Sequence, residues 1–260
     1  MRRMRNYVQG IQMRKKAKYL MVTIAVIMMI AFLGFKKNIN LRGMQTYNTS
    51  HFTIYYEELN QQTLKDIEKK LETSYPDIQN FFGLNGNYKG KVVVYKTIGR
   101  FQRAYLGIIL SMFYGDWANG AAYNDTVLVT SPENPGSQNT YDDTLEVILH
   151  EYVHTVVYQQ NEMANIWLDE GTATYLAGQE SKLPPKVPEF KAMQAEDLNS
   201  FLENDGYAFS YKYVEFLERT YGSEKLVQLI KTNDYEETLG KTALEIYNEW
   251  LSYLEMEIAT

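Results

Sequence analysis

The sequence predicts an α+β fold: a small mixed sheet with a central histidine-bearing helix, then a helical lobe, all behind one N-terminal transmembrane helix. Three observations carry this. Strand-like β-branched and aromatic segments lie in the first half, and 3.6-periodic segments dominate the second. An uncharged, mostly apolar run extends from Tyr19 to Phe35. His150-Glu151-Tyr152-Val153-His154 sets two histidines four residues apart in a segment that is apolar almost all round.

The run at 19–35 is at the short end of what spans a bilayer as a helix. Arg2, Arg3, Arg5, Arg14, Lys15, Lys16 and Lys18 precede it, and only Lys36 and Lys37 follow closely. The positive-inside bias puts residues 1–18 in the cytoplasm and the rest outside. A cleaved signal peptide, and so a secreted protein, is the competing reading. Phe32-Leu33-Gly34-Phe35-Lys36 offers no small-residue cleavage site, which favours an uncleaved signal anchor. The expected organisation is a basic segment at 1–18, an anchor at 19–35, a polar stalk at 36–50 and one domain at 51–260.

Within that domain, Phe52-Thr53-Ile54-Tyr55-Tyr56 and Lys91-Val92-Val93-Val94-Tyr95 read as strands. Between them, Leu64, Ile67, Leu71, Tyr75, Ile78 and Phe82 recur at helical spacing, with Pro76 expected to kink or split the helix. His51 opens a strand far from the paired histidines and reads as structural. A short helix starts at Phe101. Residues 107–124 are punctuated by glycine and rich in aromatics (Phe113, Tyr114, Trp117, Tyr123), and Thr126–Thr130 follows as a strand. Thr140, Tyr141, Asp142 and Asp143 offer N-caps to the histidine-bearing helix. Ile166 to Gln179 reads as the next helix. Leu183-Pro184-Pro185-Lys186-Val187-Pro188 breaks the chain, so a helical second lobe starts near 181, with helices over 207–221, 225–231 and 243–256.

The paired histidines carry chemistry. On a helix, positions i and i+4 share a face, so His150 and His154 converge on one point. Burying two histidines and Glu151 there is costly unless they are paired or bound to metal. Glu170, sixteen residues on and in a second helix, would complete a three-ligand set with an open fourth position, as catalytic zinc requires. Glu151 adjoins the first histidine, where it can activate water. The bland alternative is a buried helix with two satisfied histidines.

HEYVH followed by Trp167-Leu168-Asp169-Glu170-Gly171-Thr172-Ala173-Thr174-Tyr175 resembles the gluzincin zinc metallopeptidases, the peptidase MA-like group of thermolysin and the M1 aminopeptidases. The resemblance implies a two-lobed zincin fold, one zinc ion held by His150, His154 and Glu170, and Glu151 as general base. It extends to Tyr207–Leu217, similar to a family helix opening with a tyrosine that donates to the oxyanion; Tyr207 is the first choice and Tyr211 the second. Gly120-Ala121-Ala122-Tyr123-Asn124 resembles the aminopeptidase G-A-M-E-N strand, which implies that Gly120, Ala121 and Ala122 line the substrate backbone. Tyr123 stands where aminopeptidases place the glutamate that grips a free N-terminus. That departure favours an endopeptidase.

Composition bounds the alternatives. The chain has no cysteine, which excludes cysteine-peptidase chemistry, disulfides and lipoprotein anchoring. The net charge of −6 conceals an asymmetry: nine Lys/Arg and no acid in residues 1–37 leave 17 basic against 32 acidic residues beyond, a net of −15. An acidic domain argues against nucleic acid as partner. The expected partners are a peptide or protein substrate and the membrane. The rival readings are a catalytically silent binding protein on the same scaffold, an aminopeptidase, and a structural membrane protein with a chance motif.

Overall fold

The computed structural model describes residues 39–86, 89–111, 118–194 and 197–258. The predicted anchor and the aromatic residues Phe113, Tyr114 and Trp117 lie outside these. Among the described residues, no helix is long and apolar enough to cross a membrane. The chain divides into two units: Met1–Asn40 with Gln102–Gly115, and Leu41–Phe101 with Asp116–Thr260. The second unit holds the sheet and every candidate residue.

Five strands form one sheet: β1 (Gln45–Asn48), β2 (Phe52–Tyr56), β3 (Gly90–Tyr95), β4 (Gly120–Tyr123) and β5 (Thr126–Thr130), in the order β1-β2-β3-β5-β4. β2, β3 and β5 are parallel, and β1 and β4 close the two edges antiparallel. The sheet is therefore mixed, as the sequence predicts. The β1 segment, expected to be stalk, is instead an edge strand. Its side chains are mostly exposed, so it lacks the apolar alternation that reveals a strand. Its register against β2, Gln45 opposite Tyr56, draws it in through backbone pairing.

Helix α1 (Gln61–Phe81) connects β2 to β3, and Asn60 caps it by accepting from Thr63 N. It runs unbroken through Pro76, contrary to the expected split. Pro76 lies on the exposed face, while Leu71, Tyr75 and Ile78 continue the buried stripe past it. Burial of that stripe stabilises by ~1.5–3 kcal/mol per large apolar side chain. Helix α2 (Ile98–Ser111) starts slightly before the predicted Phe101 and is interrupted at Gly107, with φ 82° and ψ 169°.

Helix α3 (Tyr141–Gln160) carries both paired histidines and opens with a capping box. Thr140 Oγ1 accepts from Asp143 N, and Asp143 Oδ2 accepts from Thr140 N. Apolar residues around much of its circumference bury it between the sheet and the other helices. Tyr152, inside the motif, faces away from the histidines. It meets Phe52 edge-on with ring centroids 4.9 Å apart, and its hydroxyl accepts from Gln79 Nε2 at 3.2 Å. The histidine-bearing helix is thereby fixed to β2 and α1 at once.

Helices then dominate: α4 (Ile166–Ala177), the short α5 (Phe190–Met193) and α6 (Leu198–Glu203), α7 (Gly206–Tyr221), α8 (Ser223–Thr232), α9 (Tyr235–Leu239) and α10 (Ala243–Ile258). The boundaries predicted for the longer ones hold to within two residues. α4 and α7 pack with their backbones close at Gly171: a Cβ there would come within 2.5 Å of Ser210 O. That contact brings the residues after Gly206 to the same end of the molecule as Glu170.

Candidate metal centre

α3 and α4 build the site between them. His150 Nε2 and His154 Nε2 lie 3.0 Å apart, and Glu170 Oε2 lies 3.3 Å from the first and 3.4 Å from the second. Ligand atoms held about 2.0–2.2 Å from a tetrahedral zinc stand about 3.3–3.6 Å from one another. The triangle thus has close to the edge length of one face of such a tetrahedron. It is the group among the described residues whose histidine and carboxylate atoms could hold one ion. Glu170 Oε2 is buried and has no aligned hydrogen-bond donor, although it faces two imidazole nitrogens. A buried carboxylate oxygen without an aligned donor is costly, and a cation between these three atoms would satisfy it.

The second nitrogen of each imidazole fixes which one faces the triangle. His154 Nδ1 donates to Asp169 Oδ1 at 2.7 Å, and His150 Nδ1 donates to Gln179 Oε1 at 2.8 Å. Both Nε2 atoms are thereby directed inward. The sequence does not identify either acceptor, although Asp169 adjoins Glu170. Gln179 was missed: it lies beyond the end of α4, and nothing in its local pattern marks it. α4 thus supplies the carboxylate and, from its two ends, an acceptor for each histidine.

Electrostatics follow from this packing. Burial pushes the Glu170 carboxyl up, but the neighbouring His154 and His150 outweigh it and hold the group well below the usual carboxylate range. Burial pulls the His154 imidazole down; Asp169 and Glu170 overcome this and lift it well above its ordinary value. Burial raises Glu151 above the usual carboxylate range, with Glu170 and Asp169 adding to the shift and His154 and His150 opposing it. A raised carboxyl titrates nearer neutrality, where proton transfer in either direction is easier.

Glu151 lies against β4. A Cβ on Gly120 would fall 2.4 Å from Val147 Cγ1, 3.1 Å from Glu151 Cγ and 3.4 Å from Glu151 Oε1. The resemblance implies only that Gly120 lines the substrate backbone. The packing gives a reason for its small size: helix α3 lies directly behind it. Ala121 and Ala122 continue β4 opposite Leu128 and Val127, with no further strand on its outer side among the described residues. Tyr123 closes the strand and is half-exposed.

Tyr207 sits in the first turn of α7, with its ring centroid 6.5 Å from that of His150. Three aromatics hold the line: Trp167 meets Phe201 edge-on at 5.2 Å, and Phe201 meets Tyr207 edge-on at 5.2 Å. Gly206 permits this, since a Cβ there would lie 2.5 Å from the Phe201 ring. The chain enters α7 through Asp205 in the left-handed region, φ 52°. Tyr211, the second choice, lies one turn on and packs edge-on to Tyr175 at 5.5 Å. His51, read as structural, donates from Nδ1 to Glu72 Oε2 at 2.6 Å and stacks on Tyr75, within the β2–α1 packing.

Against known proteins, no family model matches the chain. No curated protein matches it either. Among solved structures it is similar to a mutant M1 zinc metallopeptidase from Deinococcus radiodurans, at 12% identity and a TM-score of 0.43. The match covers 80% of this chain and 51% of that one, so the chain spans about half the length of that protein.

Proposed function

We propose that the chain is a zinc metallopeptidase of the gluzincin type, anchored in the cell membrane by residues 19–35 with its catalytic domain outside the cytoplasm. The observation that carries this is the His150–His154–Glu170 triangle, whose edges of 3.0 to 3.4 Å suit a tetrahedral ion. His150, His154 and Glu170 would hold zinc, which when bound supplies Lewis-acid polarisation of a carbonyl and activation of water.

The chain's own residues do the rest. Glu151 takes the proton of the attacking water and returns it to the departing amine. Its raised carboxyl and its place against β4 support that role. Tyr207 donates its hydroxyl hydrogen bond to the developing oxyanion, and its ring beside His150 supports the assignment. The Gly120–Ala122 edge pairs with the substrate backbone by strand addition. Tyr123, in place of an N-terminus-binding carboxylate, favours an endopeptidase. The substrate is a peptide or protein, and no nucleic acid is expected.

The test uses the full-length chain in detergent. Metal analysis should find one zinc per chain, and the protein should cleave N-terminally blocked peptides. Glu151→Gln should keep the zinc and lose cleavage. Full activity in that variant would sink the mechanism; cleavage restricted to peptides with free N-termini would replace the endopeptidase with an aminopeptidase.

A further inference from the structure

We infer that Gln179, at the C-terminal cap of α4, is the positioning residue that turns His150 toward the metal. The inference rests on the zinc reading above but adds a residue and a device to it. His150 lies on α3, yet its orientation is set from the far end of a different helix. Its Nδ1 donates to Gln179 Oε1 at 2.8 Å. An amide oxygen only accepts, so the proton sits on Nδ1 and the Nε2 lone pair faces His154 and Glu170.

The cap explains why Gln179 can reach. α4 ends at Gly178 in the left-handed region, φ 72° and ψ 26°. The chain then reverses, with Gln179 N donating to Thr174 O at 2.9 Å and Gly178 N to Tyr175 O at 3.1 Å. A Cβ on Gly178 would meet nothing within 4 Å, so it is the backbone angle rather than space that calls for glycine. The next residue is held as well. Glu180 pairs with Lys212 at 2.6 Å, and Lys212 in turn pairs with buried Glu215 at 2.9 Å. Gln179 is therefore fixed by its own backbone on one side and by α7 on the other.

The two histidines are held unequally. His154 answers to a carboxylate in the first turn of α4, and His150 answers to a neutral amide beyond its last turn. Partners that orient metal ligands typically change metal affinity by about 10–100-fold when removed.

Two variants and two readouts test this in the full-length chain. Gln179→Met keeps the length and removes the acceptor; Gln179→Glu keeps an acceptor oxygen. Zinc titration should show affinity about 10–100-fold weaker in Gln179→Met and near that of the parent chain in Gln179→Glu. Imidazole nitrogen NMR of the zinc-free protein should place the His150 proton on Nδ1 in the parent and in Gln179→Glu, and redistribute it in Gln179→Met. Parent-like affinity and tautomer in Gln179→Met overturn the inference, as does equal weakening in both variants. If the parent chain takes up no zinc, the metal reading fails while the tautomer measurement still decides the role of Gln179.

Discussion

Asp169 and His154 share a 2.7 Å hydrogen bond, and the residue next to Asp169 points its carboxylate at the same imidazole from the other side. His154 is therefore held between two acids. They lift it well above its ordinary value of 6.5 although burial opposes them. Zinc must displace the proton that this arrangement favours. Uptake near neutral pH should release about one proton from this group. Calorimetric titration in two buffers of different ionisation heat would measure it, and buffer-independent heats would contradict it.

The same shift sets a sign for stability. The folded value of His154 exceeds the unfolded one. Its contribution is fully present below about pH 6.5 and is lost as pH rises through the raised folded value. The zinc-free protein should therefore lose stability on that rise, and the Asp169→Asn variant should show a weaker pH dependence. Denaturant midpoints across the range would check both.

Gly120→Ala should be destabilising by about 1–3 kcal/mol, because the new methyl meets Val147 Cγ1 at 2.4 Å. It should also disturb Glu151, so that activity falls while zinc content holds. Adding Val147→Ala removes the nearer clash and should recover much of the stability. A double variant no more stable than Gly120→Ala alone would show that the contact is not the cause.

Gly171→Ala meets backbone, Ser210 O at 2.5 Å, which cannot swing aside as a side chain can. The expected loss is about 1–3 kcal/mol or more, with α4 and α7 forced apart. Since Glu170 and Tyr207 lie on these two helices, zinc affinity and turnover should both fall. Unfolding measurements with zinc present and absent separate the two effects.

Tyr207→Phe keeps the ring on Phe201 and removes only the hydroxyl. Turnover should fall by about 10²–10³-fold, the usual scale for losing one oxyanion donor. Zinc content should not change. Unaltered turnover would leave Tyr207 as a packing residue, alongside Tyr211.

Residues whose role is set by spacing were legible in the sequence. His150 and His154 needed only helical periodicity and ligand chemistry to be singled out, Glu170 also the resemblance of its segment, and the three are together here. The buried strands β3 and β5 announced themselves through Val92-Val93-Val94 and Val127-Leu128-Val129. Residues whose role is set by a long reach were not legible. Gln179 follows a glycine cap, and its partner is 29 positions away. Phe201 supports Tyr207 from a helix too short to show a period. β1 carries no apolar alternation, and only the neighbouring strand makes it one. Pro76 does not split α1, because the buried stripe on both sides of it keeps the helix continuous.

The bracketing of α3 by α4 limits how this chain can vary. Asp169 and Glu170 lie on α4 and Gln179 follows just past its glycine cap, so the angle between the two ends is counted in the residues of the helix between them. Each residue turns a helix by about 100° and advances it 1.5 Å. Inserting or deleting one residue between Gly171 and Ala177 would leave Asp169 and Glu170 in place and swing Gln179 away from His150. Substitutions along that stretch can be absorbed one at a time, whereas a change of length cannot.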